Sequence, residues 1–304
     1  MMHTKEIGKN LFQIDLETGG FKNLIASYVL KGTRTIIVET GPSSSIPNLL
    51  SGLKELGVRA EEVAFVALSH VHLDHGGGTG ILLRSLPNAR VIVHSRGAPH
   101  LVNPEKLWLK SKEVLGKVAE IFGEPDAVPQ NRIIAASDGM ILDVGNNVLL
   151  TVVETPGHAS HNLSYYEPFF GGIFSGDTAG IYISEFDAVV PTSPPPFRLD
   201  TALCSLDKLI SLQPSALYYS HFGKVSNAVK RLQDYAAQLS LWGRIVDDGV
   251  TSKQSIKKIQ ERILIEDEVM HKLGGFIRSH PIYATTMLEN SVQGFIDFAE
   301  NAQT

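Results

Sequence analysis

One ten-residue stretch concentrates side chains that bind metals. Residues 69–78 read Ser-His-Val-His-Leu-Asp-His-Gly-Gly-Gly, so that His70, His72, Asp74 and His75 fall within six positions. Imidazole nitrogens and carboxylate oxygens are ligands that zinc and iron accept. Three histidines and one aspartate are more ligands than a single structural zinc site normally takes from one loop. The stretch therefore predicts a site for two metal ions.

The residues on either side of this stretch indicate the backbone that carries it. The apolar run Val63–Leu68 precedes it, which is typical of a strand buried on both faces, and three glycines follow it. On a helix, His70 and His72 would point in nearly opposite directions, because they are two positions apart. Both rings reach one ion only from extended or turning backbone. We therefore expect the site at a strand end, where ligand sites of open α/β sheets form.

Three further predicted strands also end in residues of these types. In chain order, they are Val148–Val153 before His158, Phe170–Phe174 before Asp177, and Ala216–Ser220 before His221. A carboxylate such as Asp177 has two oxygens, which suits it to bridge two cations. His161 follows His158 by three positions and is expected to be structural or to contact a ligand. The four strand ends together predict one composite site.

The rest of the chain is expected to build and cover this site. Glu39 ends the third strand of a predicted N-terminal meander, either beside the metals or on the surface. The segment Asn103–Gly123 is long enough for one or two helices, which either wall a substrate pocket or only cover the sheet. After residue 225 the apolar residues recur at helical spacing. We therefore predict a metal-binding domain over residues 1–225 and a helical C-terminal region over residues 226–304.

The composition gives no indication of a nucleic-acid or membrane partner. The 304 residues include 27 lysines and arginines against 32 acids, so no attraction to nucleic acid or to an anionic membrane is expected. Cys204 is the single cysteine, which excludes an internal disulfide. The N-terminus lacks an apolar signal core, and no apolar run is long enough for a membrane span. A cytoplasmic location is the expectation.

The order of the motifs resembles the signature of a known family. His-x-His-x-Asp-His, followed by a separate His, Asp and His, is similar to the metallo-β-lactamase-fold superfamily over about residues 11–225. The resemblance implies an α+β fold, a four-layer αββα sandwich with metals at one edge between two sheets. Here a helical C-terminal region would follow.

The resemblance also implies which residues hold each metal. The ligands of the first metal would be His70, His72 and His158. Those of the second would be Asp74, His75 and His221. Asp177 matches the bridging carboxylate. The ions implied are two divalent cations, most readily Zn²⁺, although Fe and Mn accept the same ligands.

The activity implied is that of a metal-dependent hydrolase. Two ions about 3.5–4 Å apart share a water and supply hydroxide near neutral pH. The hydroxide would attack an ester, thioester, lactone, amide or phosphoester of a small-molecule substrate. Asp74 would orient the hydroxide or take up a proton, as a catalytic residue.

The sequence differs from particular branches of this superfamily, and these differences disfavour some of the activities that the superfamily includes. Lactamases proper commonly have cysteine where Asp177 stands, which disfavours antibiotic hydrolysis. Glyoxalase II and persulfide dioxygenases usually carry an arginine soon after that aspartate, but residues 179–185 contain none. Two other classes stay open. A mononuclear iron sulfur dioxygenase-like oxidoreductase would use only His70, His72 and His158, and a catalytically silent protein would bind metal without turnover.

Overall fold

In the part of the chain that the structure describes, fifteen strands form two large β-sheets and one hairpin. The computed structural model describes residues 3–146 and 148–302. The strands are β1 (Thr4–Gly8), β2 (Leu11–Asp15), β3 (Ala26–Leu30), β4 (Thr35–Val38), β5 (Val63–Ala67), β6 (Arg90–His94), β7 (Ile133–Ala136), β8 (Ile141–Gly145), β9 (Val148–Glu154), β10 (Leu163–Glu167), β11 (Gly172–Phe174), β12 (Ile181–Ile183), β13 (Ala188–Val190), β14 (Ala216–Tyr219) and β15 (Gly223–Ser226). The first sheet has the order β1-β2-β3-β4-β5-β6-β7, and the second has the order β15-β14-β11-β10-β9-β8. Strands β12 and β13 pair separately.

Twelve helices lie between and after these strands in the described residues. They are α1 (Ile46–Glu55), α2 (Leu73–Gly76), α3 (Thr79–Leu83), α4 (Ala98–Val102), α5 (Glu105–Leu115), α6 (Lys117–Phe122), α7 (Leu199–Ser211), α8 (Ala228–Thr251), α9 (Ile256–Glu266), α10 (Glu268–Ser279), α11 (Tyr283–Thr286) and α12 (Leu288–Ala302). Among them, none combines the length and the apolar character that crossing a bilayer requires.

The layers follow from the alternation of side chains along each strand. In β4, Ile36 and Val38 pack in a core made by strands of both sheets. Ile37, between them, packs on the opposite face, in a core that includes Leu49 of α1. On the second sheet, Leu217 shares that helix-containing core. Each sheet is therefore buried on both faces, which explains the continuous apolar runs in its strands.

The predicted α+β fold is confirmed as a four-layer αββα sandwich with a helical C-terminal region. The first three predicted strands form a meander, β2 to β4, and β4 to β7 then run parallel. Strand β1 pairs antiparallel with β2 and adds an edge that was not predicted, because its sequence Thr-Lys-Glu-Ile-Gly is largely polar. Helices α8 to α12 follow β15. A domain boundary after residue 225 stays a prediction.

Candidate metal centre

Four strand ends bring the seven predicted side chains together. Strand β5 belongs to the first sheet, whereas β9, β11 and β14 belong to the second. The residues that follow these strands meet at one edge between the sheets. Three groups have ligand atoms within 4.8 Å of one another: His70, His72 and His158; His70, His75 and Asp177; and Asp74, His75 and His221. The structure therefore collects the seven residues in one cluster.

Three imidazoles form the first half of the cluster. Nε2 of His70 lies 3.0 Å from Nδ1 of His72, and Nε2 of His158 lies 3.1 Å from the same atom. His72 precedes the short helix α2 in extended backbone, with ψ at 154°. That conformation allows both histidines of the His-x-His pair to face one point, as the sequence analysis predicts.

The second half combines two imidazoles with one carboxylate. Nε2 of His221 lies 3.3 Å from Nε2 of His75 and 3.5 Å from Oδ2 of Asp74. Asp74 and His75 are both in α2, whose N-terminus directly follows the His-x-His pair. His75 and His221 are buried, whereas the Asp74 side chain is 25% exposed. Asp74 is thus the ligand candidate of this half that reaches open space.

Asp177 lies between the two halves. Its Oδ1 is 3.2 Å from Nε2 of His75, and its Oδ2 is 3.6 Å from Nε2 of His158. Gly176 allows this position, since its φ is +51° and a Cβ there would lie 2.4 Å from the Cβ of Ser69. The two carboxylate oxygens consequently face different halves of the cluster.

Oxygen atoms outside the cluster orient the imidazoles. Nδ1 of His158 donates to the Thr192 carbonyl at 2.9 Å, and Nδ1 of His221 donates to the Leu24 carbonyl at 2.9 Å. Nδ1 of His75 lies 3.2 Å from a carboxylate oxygen of Glu39. Each of these contacts leaves Nε2 facing the centre of the cluster. Glu39 is buried and also accepts a hydrogen bond from the Ser69 N–H, so it lies beside the site and not on the surface.

Burial and neighbouring charges shift the pKa values of the clustered histidines in opposite directions. Burial lowers the pKa of His70 well below its usual value and that of His72 to about 3, and neighbouring histidines add to both effects. Burial alone would also lower the pKa of His75, but the charges of Asp177, Asp74 and Glu39 outweigh it and raise the pKa well above the usual value. Without metal, His75 therefore carries a proton that His70 and His72 lack.

The donor set fits divalent metal ions. Nδ1 of His72 faces Nε2 of His70 at 3.0 Å and Nε2 of His158 at 3.1 Å, and bare lone pairs at these distances need a proton or a cation between them. The lowered pKa values of His70 and His72 disfavour protons there. Burial raises the pKa of Asp74, but the charge of His75 and weaker interactions together outweigh this effect and lower the pKa to about 2, so this carboxyl is ionised. Neutral His70 and His72 and an ionised carboxylate are forms that bind metals, whereas His75 must first lose its proton.

The remaining nearby histidine stays outside the cluster. The ring of His161 is centred 6.3 Å from that of His70 and 6.1 Å from that of His72. Its pKa is lowered to about 4, first by burial and then by the charge of His100. Among the described residues, His161 belongs to no group of converging metal ligands. His161 therefore lies beside the cluster and is not one of its ligand candidates.

A cavity of about 240 Å³ opens onto the cluster. Helix α5 contributes Leu107 and Val114 to its wall, and the C-terminal region contributes Tyr283 and Met287. Lys110 of α5 is the single lysine or arginine among the described residues that line it. A wider groove of about 640 Å³ runs along α8 and α10 and touches none of the seven clustered residues. The segment Asn103–Gly123 and the C-terminal helices therefore both wall the pocket, a point that the sequence left open.

Comparison with known proteins identifies the family. The profile of the metallo-β-lactamase superfamily matches residues 22–221, about two-thirds of the chain. The chain belongs to this superfamily. A metallo-β-lactamase fold-containing protein of Sulfurisphaera tokodaii is 30% identical to it over 211 residues, which are 68% of this chain and 76% of that protein.

Two further similarities extend the comparison. A human acyl-coenzyme A thioesterase is 28% identical over 193 residues, 57% of this chain and 64% of that protein. A crystal structure of an archaeal metallo-β-lactamase superfamily protein from Sulfolobus tokodaii matches 95% of this chain and 99% of that chain, with a TM-score of 0.71 at 24% identity. That match covers the C-terminal helices as well as the sandwich. The chain is a hydrolase of the metallo-β-lactamase superfamily, as predicted.

Proposed function

We propose that the protein hydrolyses a small carboxylic ester or thioester with two divalent metal ions. The observation that carries this proposal is the position of Asp177, whose two oxygens face different halves of one buried cluster. His70, His72 and His158 would hold the first ion. Asp74, His75 and His221 would hold the second. Zinc is the ion that we propose, since histidine and carboxylate ligands suit it.

The ions would supply Lewis-acid chemistry, because a bound divalent metal acidifies water and polarises a carbonyl group. The chain's own contribution is to place proton acceptors around that water. Asp74 is ionised and partly exposed to the cavity, so its carboxylate can accept a hydrogen bond from the attacking water and take up its proton. We therefore assign Asp74 the role of catalytic residue.

The cavity supports an apolar substrate that is not strongly anionic. Its wall is mostly apolar, and Lys110 is 68% exposed and paired with Glu113 at 2.9 Å. Apart from the proposed metal ions, this wall therefore offers no buried lysine or arginine to the charge of a phosphate group. An ester or thioester of an apolar acid carries no such charge on its acyl part, and the similarity to an acyl-coenzyme A thioesterase supports the same class. The single cysteine supports a reducing cytoplasmic location as part of this proposal.

The first test is the metal content of protein purified without added metal, measured by elemental analysis. We expect about two zinc ions per chain, and hydrolysis of apolar acyl esters that a chelator abolishes and zinc restores. One iron per chain with oxygen consumption would contradict the proposal and favour the oxygenase class. Two zinc ions without turnover on esters or thioesters would instead indicate the catalytically silent class.

A further inference from the structure

One peptide group links the candidate metal centre to the C-terminal helices. The carbonyl of Thr192 accepts the hydrogen bond from Nδ1 of His158 at 2.9 Å. The N–H of the same peptide group, that of Ser193, donates to the hydroxyl of Ser291 in α12 at 3.2 Å. A peptide group is planar, so its carbonyl and its N–H turn together. The Ser291 hydroxyl therefore restrains the carbonyl that orients His158.

Ser291 restrains this loop at a second point. Its hydroxyl donates to the carbonyl of Pro191 at 3.3 Å, so that one buried side chain bridges the peptide groups on both sides of Thr192. Both hydrogen bonds therefore come from a helix that follows residue 226.

The close approach of α12 depends on a glycine. A Cβ on Gly294 would lie 1.9 Å from the carbonyl oxygen of Ser193. Gly294 follows Ser291 by three positions, so both residues lie on the face of α12 that contacts the loop. The helix is thus set directly against the backbone that it restrains.

The restraint decides which nitrogen of His158 faces the cluster. Nδ1 can donate to a carbonyl only when it carries the hydrogen, which leaves the lone pair on Nε2. Nε2 is the atom that lies 3.1 Å from His72 and 3.6 Å from Asp177. If the peptide group turned, His158 would lose the acceptor that fixes this tautomer and ring orientation.

We infer that Ser291 is a positioning residue of the metal centre, which holds the Thr192 carbonyl so that His158 presents Nε2 to the first metal ion. The inference rests on the proposed function, because it requires an ion at His158. It gives the C-terminal region a part in metal binding in addition to its part in the cavity wall.

The test is a measurement of zinc affinity by competition with a chelator, made on the full chain and compared with the thermal stability of the metal-free form. Partners that orient metal-binding histidines typically change metal affinity about 10- to 100-fold. For Ser291→Ala we expect one of the two zinc dissociation constants to rise about tenfold. A His158→Ala variant identifies which constant belongs to this half of the cluster. Ser291→Thr, which keeps a hydroxyl, should restore the affinity.

One further variant separates positioning from general loss of structure. Ser193→Ala is the matched control, because the Ser193 hydroxyl is buried and has no hydrogen-bond partner among the described residues. Its zinc affinity should equal that of the wild type.

The outcomes distinguish this inference from the proposed function. If the wild type binds two zinc ions and Ser291→Ala binds both equally tightly, the inference is wrong while the proposed function stands. If Ser291→Ala and Ser193→Ala weaken binding equally, the effect is on packing, and the inference is again wrong. If the wild type binds no metal at His158, the proposed function itself is wrong.

Discussion

His75 differs from every other imidazole in the cluster, because three carboxylates surround it. Asp177, Asp74 and Glu39 raise its pKa, while burial lowers the pKa of His70 and His72. A metal ion binds only the neutral form of an imidazole, so an ion at His75 must displace a proton. The two halves of the cluster consequently begin from different protonation states in the metal-free protein.

This difference predicts that the affinity of the second ion depends on pH. The raised pKa of His75 favours its protonated form in the metal-free protein, so affinity for the ion that it binds should rise as pH rises. Calorimetric titration with zinc, in buffers of different ionisation enthalpy, should detect about one proton released with that ion. Glu39→Gln removes one of the three charges and should reduce the release. A second ion that binds without proton release at pH 7 would contradict the assignment.

The carboxylate of Asp177 should be needed for metal binding in both halves of the cluster. Replacement by alanine removes the oxygens that face both halves, so zinc content should fall at both sites and turnover should fall at least about 100-fold. Elemental analysis and an ester hydrolysis assay measure the two effects. His161→Gln serves as the comparison, since His161 lies outside the cluster and its replacement should be milder. Normal zinc content in Asp177→Ala would exclude a bridging role.

At the scale of elements, helix α5 is unusual because none of its residues is buried. It covers the cavity with one face and leaves the other in solvent. Val114 lines the cavity although it is 50% exposed, whereas Leu109, which is 54% exposed, does not line it. Substitutions of Val114 and Leu109 therefore compare the cavity-facing side of α5 with its solvent-facing side.

Val114→Asp should lower kcat/KM for esters of long apolar acids about three- to tenfold, because a carboxylate would replace part of an apolar wall. The value for an acetyl ester should change little, and zinc content should not change. Leu109→Asp introduces the same charge on the outer face and should leave kcat/KM unchanged for both esters. Equal losses in the two variants would mean that α5 does not contact the substrate.

The elements also show why parts of the site were predictable and others were not. The strand ends that carry His70, His158, Asp177 and His221 were predicted, because long apolar runs and the turn residues after them are local signals. The contacts of Thr192 and Leu24 were not, because a backbone carbonyl has no sequence signature. The role of Ser291 depends on a contact between positions about 100 residues apart, which no local pattern contains.

At the scale of the whole molecule, the cluster makes the free energy of unfolding depend on pH and on bound metal. Burial lowers the pKa of His72 to about 3 and that of His161 to about 4, and it also lowers the pKa of His70. Below the pKa of about 6.5 that histidines have in the unfolded chain, these three histidines bind protons in the unfolded state but not in the folded state. Stability is therefore lost as pH falls. His75 does not offset the loss in this range, because it is protonated in both states below pH 6.

We expect the free energy of unfolding of the metal-free protein to fall by more than about 1 kcal/mol per pH unit between pH 6 and 4.5. Urea unfolding in the presence of a chelator measures this slope. Bound zinc opposes the loss, since a ligand at 100 times its Kd stabilises the fold by about 2.7 kcal/mol. His161→Gln should reduce the slope, and an unchanged slope in that variant would show that His161 does not contribute.

The metal ligands and the cavity wall come from separate parts of the chain. All seven ligand candidates lie at strand ends before residue 222, whereas α5 and the C-terminal helices form much of the wall. In evolution, or in the laboratory, the wall can therefore be exchanged without rebuilding the metal centre, provided that the Ser291 contact is kept. Replacement of the exposed helix α5 could therefore change which substrates enter the cavity while the reaction at the metal centre stays the same.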